Sequence, residues 1–230
     1  MRWLSAATWL AAVVWALAAC SGGIDQAPIQ PAQTPLPLVS AGLTVGNNVM
    51  RGHLSQPQRL AGAIEPPEPL DALVHCAGVS LEAIAPVADT GPAVWQETLA
   101  VNALAAAELT RLVLPALRRS RGHVVFVNSA RGVRAVPGWS AFAASKAALQ
   151  ELADALRAEE AGNGLRVTTV HPGATATEHL RQVRAAFGRD YDPRRCIQPE
   201  TLAAMVAWVL AAPPDAYVSE LSVLAAPGKS

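Results

Sequence analysis

The amino-acid sequence predicts an α/β fold with a doubly wound parallel sheet, and three observations lead to that prediction. Short runs of β-branched and apolar residues alternate with longer runs whose apolar residues recur at helical spacing. Glycine and proline mark most of the breaks between these runs. A chain of 230 residues has the size of one ordinary domain of this class.

The first clearly patterned elements lie between residues 71 and 128. Asp71–His75 is predicted to be a short apolar strand. Val94–Arg119 is predicted to be a long helix, with basic residues toward its C-terminal half, where they complement the helix dipole. Gly122 ends this helix, and His123–Asn128 follows as a buried strand rich in β-branched and aromatic residues.

The second half of the chain continues the alternation. Ser140–Glu160 is predicted to be a second long helix, and Leu165–Val170 a further strand. The polar segment Arg181–Pro199 is predicted to be irregular. A helix over Pro199–Ala211, with proline near its start, and a last strand over Tyr217–Leu224 complete the pattern.

The composition argues against several classes of partner. Lys and Arg together number 18, as do Asp and Glu, so charge gives no reason to expect nucleic acid as a ligand. Cys20, Cys76 and Cys196 are far apart and match no Cys-x-x-Cys or Cys/His ligand spacing. We therefore expect neither a disulfide framework nor a metal site.

The N-terminal residues allow two interpretations. Trp3–Ala19 is an apolar run without charge, and it ends in Leu17-Ala18-Ala19-Cys20, which resembles the lipid-attachment box of bacterial lipoproteins. In that case the protein would be anchored to a membrane through Cys20. Alternatively, Ala12–Leu17 is a buried first strand of the sheet. The enzyme-like remainder of the chain favours the second interpretation and a cytoplasmic location.

Several residues that could take part in catalysis or ligand binding lie where strands end. In a parallel α/β sheet the carboxyl ends of the strands meet at one edge, and ligands bind there. Ser129 follows the second strand, and Phe142 and Lys146 share a face of the next helix at i and i+4. Asn102 is a polar residue in an otherwise apolar helix and needs a hydrogen-bond partner.

These residues and their order resemble the short-chain dehydrogenase/reductase family, over about residues 53–224. The resemblance implies a Rossmann-like sheet. In that family a serine stands thirteen positions before the tyrosine of a Tyr-x-x-x-Lys motif, and Ser129, Phe142 and Lys146 stand at that spacing. Asn102 matches the family asparagine that holds a water in the proton relay. The position of the family's tyrosine is thus occupied by phenylalanine.

The resemblance implies an oxidoreductase that acts on a small carbonyl or alcohol substrate. In the family the tyrosine hydroxyl supplies the proton that accompanies hydride transfer, with its pKa lowered by the lysine, and the serine polarises the carbonyl. Ser129 and Lys146 can play these parts, whereas Phe142 has no ionisable atom. Tyr191, in a predicted substrate lid, is the alternative donor. We therefore expect weak or lost activity.

The same resemblance implies NAD or NADP as cofactor, without deciding between them. Cys76-Ala77-Gly78 resembles the end of the family's Asn-Asn-Ala-Gly motif, and Pro172-Gly173 together with Thr177 resembles the stretch that holds the nicotinamide half. Lys146 is expected to bond the cofactor ribose.

The glycine-rich turn that binds the pyrophosphate in the family is eroded here. Its nearest match is Ala18–Asp25, in which Gly23 and Ile24 fit the fixed positions. Asp25 adds a negative charge beside the phosphates, and the prolines that follow disturb the helix that would cradle them. Cofactor binding is therefore expected to be impaired.

The chain is accordingly divided into residues 1–52, an atypical N-terminal segment, and residues 53–230, the Rossmann-like domain. The first segment is signal-like, a degenerate part of the cofactor domain, or translated out of its ancestral frame. Three functions stay open: a weakened oxidoreductase, a catalytically silent subunit, and a lipid-anchored envelope protein. Family members pair through their two long helices, so the resemblance also implies a homo-oligomer.

Overall fold

Four parallel strands form the centre of the protein. The structure, a computed structural model, describes residues 54–62, 70–130, 136–213 and 215–227. Within these residues the strands lie in chain order in one sheet. They are β1 (Ala72–His75), β2 (His123–Val127), β3 (Arg166–Pro172) and β4 (Glu220–Val223). The predicted parallel α/β sheet is confirmed, whereas the predictions for residues 1–53 lie outside the described residues.

Five α-helices connect and cover these strands in the part of the chain described. They are α1 (Pro92–Leu99), α2 (Ala105–Ser120), α3 (Ser140–Glu160), α4 (Glu178–Ala186) and α5 (Pro199–Leu210). Short 3-10 turns lie at Pro57–Gly62, Val87–Asp89, Ala161–Asn163 and Pro193–Arg195. Except for α4, each helix corresponds to one predicted from apolar spacing.

The two faces of the sheet are covered by different helices. On β2, Val125 and Val127 point to one face, where they pack with buried residues of α5. The intervening residues Val124 and Phe126 point to the other face and pack with residues of α2 and α3. Because side chains of a strand alternate between faces, one buried strand supplies both halves of the core. This arrangement confirms that the sheet is doubly wound.

The first long helix has an interruption that the sequence did not predict. Its residues run without a break from Pro92 to Ser120, but Ala100–Leu104 form a π-helical turn between α1 and α2. A turn of this kind accommodates an extra residue and is common at functional sites. The run 92–120 has the length and hydropathy of a membrane span, and half of its most apolar window is buried within the fold.

The end of that helix is fixed by a close approach of backbones. Arg121 caps it in the left-handed region, with φ of 51°. A Cβ atom on Gly122 would lie 2.9 Å from the Asp71 carbonyl oxygen and from Leu117 Cδ2, so no side chain fits there. The predicted break at Gly122 therefore arises from the packing of the helix end against the start of β1.

The prediction that Arg181–Pro199 is irregular was wrong at its N-terminal end, because α4 extends to Ala186. The Thr177 hydroxyl caps this helix by accepting a hydrogen bond from the Leu180 amide at 3.1 Å. Glu178 and Arg181 then pair one turn apart on its surface. The high polarity that suggested a loop is instead the solvent-facing side of a short helix.

Candidate active site

The carboxyl end of β2 is tied to α3 by two reciprocal hydrogen bonds. Lys146 Nζ donates to the Val127 carbonyl at 3.2 Å, and Asn128 Nδ2 donates to the Lys146 carbonyl at 3.1 Å. Ser129 comes next, and its carbonyl accepts a hydrogen bond from His171 Nδ1 of β3 at 3.0 Å. Ser129 and Lys146 are thus brought to the same edge of the sheet, as their strand-end and helix positions predicted.

Asn102 lies in the π-turn and is almost completely buried, with 1% of its surface exposed. Its side-chain amide makes two hydrogen bonds with the Val79 backbone. Val79 N donates to Asn102 Oδ1 at 2.7 Å, and Asn102 Nδ2 donates to the Val79 carbonyl at 2.9 Å. Nδ2 also donates to Ser145 Oγ, which in turn donates to the Phe142 carbonyl. The partner that this amide needs is therefore the chain just after β1, together with α3.

Gly78 lies at the point where β1, the π-turn and α3 converge. A Cβ atom on Gly78 would stand 3.4 Å from Asn102 Oδ1 and 3.7 Å from Lys146 Nζ. The missing side chain leaves a small cradle at the carboxyl edge, open to a hydrogen-bonding oxygen and an ammonium group. Such a cradle suits the close approach of a polar ligand. Neighbouring Ala77 is exposed at this edge.

Phe142 lies in an apolar cluster at the start of α3. Its side chain is 8% exposed and packs with Ala83 and Ala141. Its ring stacks on Trp139 with centroids 4.3 Å apart, and Lys146 Nζ lies 5.9 Å from its centroid. The i and i+4 side chains are therefore neighbours, as predicted. At the position where the family resemblance implies a proton donor, the chain therefore has a phenyl ring without a polar atom.

The residues that follow β3 lie at the same carboxyl edge of the sheet, because β3 is parallel to β2. Pro172 is the last residue of that strand, and the amide of Gly173, which follows it, donates to the Val223 carbonyl at 2.7 Å. A Cβ on Gly173 would lie 3.2 Å from that oxygen, so this glycine also serves the packing of β3 on β4. The Thr177 hydroxyl is already engaged as the cap of α4.

A polar pair that the sequence did not suggest joins α4 to the segment after β1. Ser80 Oγ and His179 Nε2 are 2.6 Å apart, and Ser80 is 2% exposed. Trp139 Nε1 donates to the Ser80 carbonyl at 3.2 Å, which connects this pair to the ring that stacks on Phe142. The partners are 99 positions apart in the sequence, so no local pattern relates them.

The charged groups that act on His179 differ from those that act on Tyr191, the alternative donor named from the sequence. Burial lowers the pKa of His179, Glu82 raises it, and the Lys146 ammonium lowers it further. Burial raises the pKa of Tyr191, and the charged neighbours acting on that residue are Cys196 and side chains of α4. Lys146 is therefore among the groups that act on His179 and is not among those that act on Tyr191.

Two other histidines are structural. Burial lowers the pKa of His75 to about 3, and its Nε2 lies 2.9 Å from Thr110 Oγ1 while its ring stacks on Phe126. Burial also lowers the pKa of His123 to about 3, with Nε2 2.7 Å from Thr168 Oγ1. Both are neutral at pH 7. His75 is thus a hydrogen-bonding residue at the end of β1.

A parallel sheet with polar side chains gathered at its carboxyl edge is the arrangement in which α/β proteins as a class bind their ligands. The family model described as short chain dehydrogenase matches residues 51–187. The chain belongs to the short-chain dehydrogenase family, as the spacing of Ser129, Phe142 and Lys146 predicted.

Similar proteins come from bacteria and animals. The uncharacterized oxidoreductase YciK of Escherichia coli K12 is 34% identical over 142 residues, which are 61% of this chain and 54% of that protein. Dehydrogenase/reductase SDR family protein 7-like of Drosophila melanogaster is 32% identical over 159 residues, which are 66% of this chain and 48% of that protein. The chain thus spans about half the length of these two relatives.

Solved structures give the same family. The structure of yciK from E. coli is 29% identical with a TM-score of 0.58, covering 75% of this chain and 68% of that one. A short-chain dehydrogenase from E. coli CFT073, solved with NADPH, is 30% identical with a TM-score of 0.59, covering 77% and 70%.

Proposed function

We propose that this chain binds NAD or NADP at the carboxyl edge of its sheet and interconverts a small carbonyl substrate and its alcohol at a strongly reduced rate. Family membership and a related structure solved with NADPH support the cofactor class. The reduced rate follows from one observation: Phe142, a buried ring without a proton to donate, lies next to Lys146 at the site.

The described residues fit the nicotinamide part of such a cofactor. The cradle at Gly78 leaves room beside Asn102 and Lys146, where a side chain would otherwise stand. Ala77 and Gly78, Lys146, and the stretch from Pro172-Gly173 to Thr177 are proposed to hold it. When bound, the cofactor supplies or accepts the hydride. The remaining candidates, Gly23 and Ile24, lie outside the described residues.

The chain's own residues then divide the remaining tasks. The Ser129 hydroxyl donates a hydrogen bond to the substrate oxygen and polarises the carbonyl. The ammonium of Lys146 favours negative charge that develops nearby. Asn102 holds the Val79 backbone and thereby fixes the cradle. Because Phe142 cannot donate a proton, the turnover is expected to be about 10²–10⁴-fold below that of a site with a positioned general acid.

Replacing Phe142 with tyrosine tests this proposal. Phe142→Tyr adds the missing hydroxyl to a ring that already lies beside Lys146, and we expect the rate on a panel of carbonyl compounds to rise about 10²-fold or more. Phe142→Leu, which keeps an apolar side chain without a hydroxyl, is the matched control and should give no rise.

Cofactor binding is measured separately, by quenching of intrinsic tryptophan fluorescence with NADH and NADPH. Saturable binding of either supports the proposal. If neither binds up to millimolar concentration, the chain is not an oxidoreductase of this kind.

A catalytically silent subunit is the second candidate, favoured by the packing of Phe142 against Trp139 and Ala83. A ring held in an apolar cluster contributes to stability whether or not chemistry takes place. Saturable cofactor binding together with no rate increase in Phe142→Tyr would favour this second function over the first.

A further inference from the structure

We propose that His179, paired with Ser80, delivers the proton that Phe142 cannot supply. The inference rests on the proposed oxidoreductase function and names the group behind its remaining activity. The pair is formed by Ser80 Oγ and His179 Nε2, 2.6 Å apart. At that distance a proton can pass between the two atoms without rearrangement of the protein.

The pair lies against the residues already assigned to the site. Ser80 directly follows Val79, whose backbone is held on both sides by the Asn102 amide. The Ser80 carbonyl accepts from Trp139 Nε1, and the Trp139 ring stacks on Phe142. The Lys146 charge acts on His179. His179 would therefore deliver its proton to the same region of the carboxyl edge as the hydroxyl of a tyrosine at position 142.

The proton balance is complete in both directions. In carbonyl reduction, hydride from the reduced nicotinamide bonds to the carbonyl carbon, and the C=O π electrons move to oxygen. That oxygen takes a proton from the Ser80 hydroxyl, which is replenished by the His179 imidazolium. In alcohol oxidation the neutral imidazole accepts the alcohol proton through Ser80 while hydride returns to the oxidised nicotinamide. Solvent restores the protonation state of His179 after each turnover.

The charges facing His179 determine the pH dependence. Glu82, after β1, stabilises the imidazolium, whereas burial and Lys146 of α3 destabilise it, and the net effect is a lowered pKa. On its own helix, the neighbouring Glu178 is paired with Arg181. His179 is therefore mostly neutral at pH 7, which suits a base in alcohol oxidation. Carbonyl reduction needs the imidazolium and should speed up as the pH falls below neutrality.

A purely structural role would look different. If the pair only holds α4 against the segment after β1, removing it should weaken the binding of cofactor and substrate. It should leave the pH dependence of the reaction rate unchanged. His179→Gln separates these roles, because glutamine can still hydrogen-bond to Ser80 but cannot carry a proton at these pH values. Ser222→Ala, an exposed serine of β4, is the matched control for Ser80→Ala.

The experiment uses the full chain in two backgrounds, with Phe142 and with Phe142→Tyr. In the first, His179→Gln should lower the reduction rate about 10²-fold and abolish its rise toward acid pH. In the second, where the tyrosine donates, the same change should have little effect. Ser80→Ala should follow His179→Gln, and Ser222→Ala should match the parent chain.

A readout independent of activity is the proton NMR titration of the His179 imidazole without cofactor. Its pKa should lie below 6.5 and should rise when Lys146 is replaced by Met, because the neighbouring ammonium is removed. An imidazole that is insensitive to Lys146 would overturn the inference, as would equal pH profiles with and without His179. So would equal losses in both backgrounds, which indicate a fastening role. Failure of NADH and NADPH to bind any variant removes the proposed function itself, and this inference with it.

Discussion

At the residue scale, Phe142 differs from the family tyrosine by one oxygen atom, and that atom matters for proton transfer rather than for the packing of the ring. The ring is buried against Trp139, so the site loses a proton donor while the cluster keeps its apolar volume. The proximity of Phe142 and Lys146 could be predicted from the sequence because both lie on one face of α3, and Ser129 could be placed near them because it follows a strand of the same sheet. The pairing of Ser80 with His179 could not, because it depends on how two distant segments fold together.

A prediction at this scale concerns the buried amide of Asn102. Asn102→Ala removes the partner of the Val79 N–H and of its carbonyl, and each buried polar group left unpaired costs about 1–3 kcal/mol. The free energy of unfolding, measured by urea denaturation, should fall by at least about 2 kcal/mol.

The control for this change is Asn163→Ala, which removes a single side-chain hydrogen bond at the end of α3. It should cost about 1 kcal/mol or less. Equal losses for the two variants would contradict the role assigned to Asn102.

At the element scale, the long helices and the strands could be predicted from the sequence because their apolar spacing is strong. The sequence did not reveal α4, since that helix has few apolar residues and depends on a cap. Thr177 provides the cap, and Glu178 pairs with Arg181. This helix contains His179, so the proposed proton transfer depends on the helix being formed.

Thr177→Ala therefore tests the cap. The Leu180 amide loses its acceptor, and the cost should be about 1 kcal/mol. Because α4 is short, the effect should be local: amide hydrogen exchange over Glu178–Ala186 should accelerate, while exchange in β2 stays as it was. Thr177→Ser, which keeps the hydroxyl, should behave like the parent chain.

At the scale of the whole molecule, α2 and α3 are joined at their C-terminal ends by an ion pair. Arg118 Nη2 and Glu160 Oε1 are 2.6 Å apart, and a second contact joins Nε to Oε2 at 2.8 Å. Glu160 is 3% exposed, and hydrogen bonds from Arg118 hold its pKa below the ordinary value of 4.5. The pairing joins residues 42 positions apart, which periodicity in the sequence cannot predict.

This pair predicts a pH dependence of global stability. Because the folded-state pKa of Glu160 is lowered, its contribution is present above the unfolded pKa of about 4.5 and is lost as the pH falls through the folded value. Glu160→Gln should therefore reduce the fall in unfolding free energy below about pH 4.5.

Glu159→Gln, at an exposed neighbouring position, is the matched control and should preserve the acid limb of the profile. An unchanged acid limb in Glu160→Gln would show that other carboxylates carry the dependence.

The π-turn at Ala100–Leu104 has a consequence for how the chain tolerates changes in length. The turn holds one residue more than a regular α-helix would need. Deleting a single residue there would let α1 and α2 merge into one regular helix, with both parts keeping nearly their present faces toward the core, because the wide turn already accommodates the extra residue. Substitutions alter the chemistry of Asn102, whereas a deletion would redirect its amide away from Val79. Single-residue deletions at Ala100–Leu104 should therefore be selected against more strongly than deletions in the surface loops.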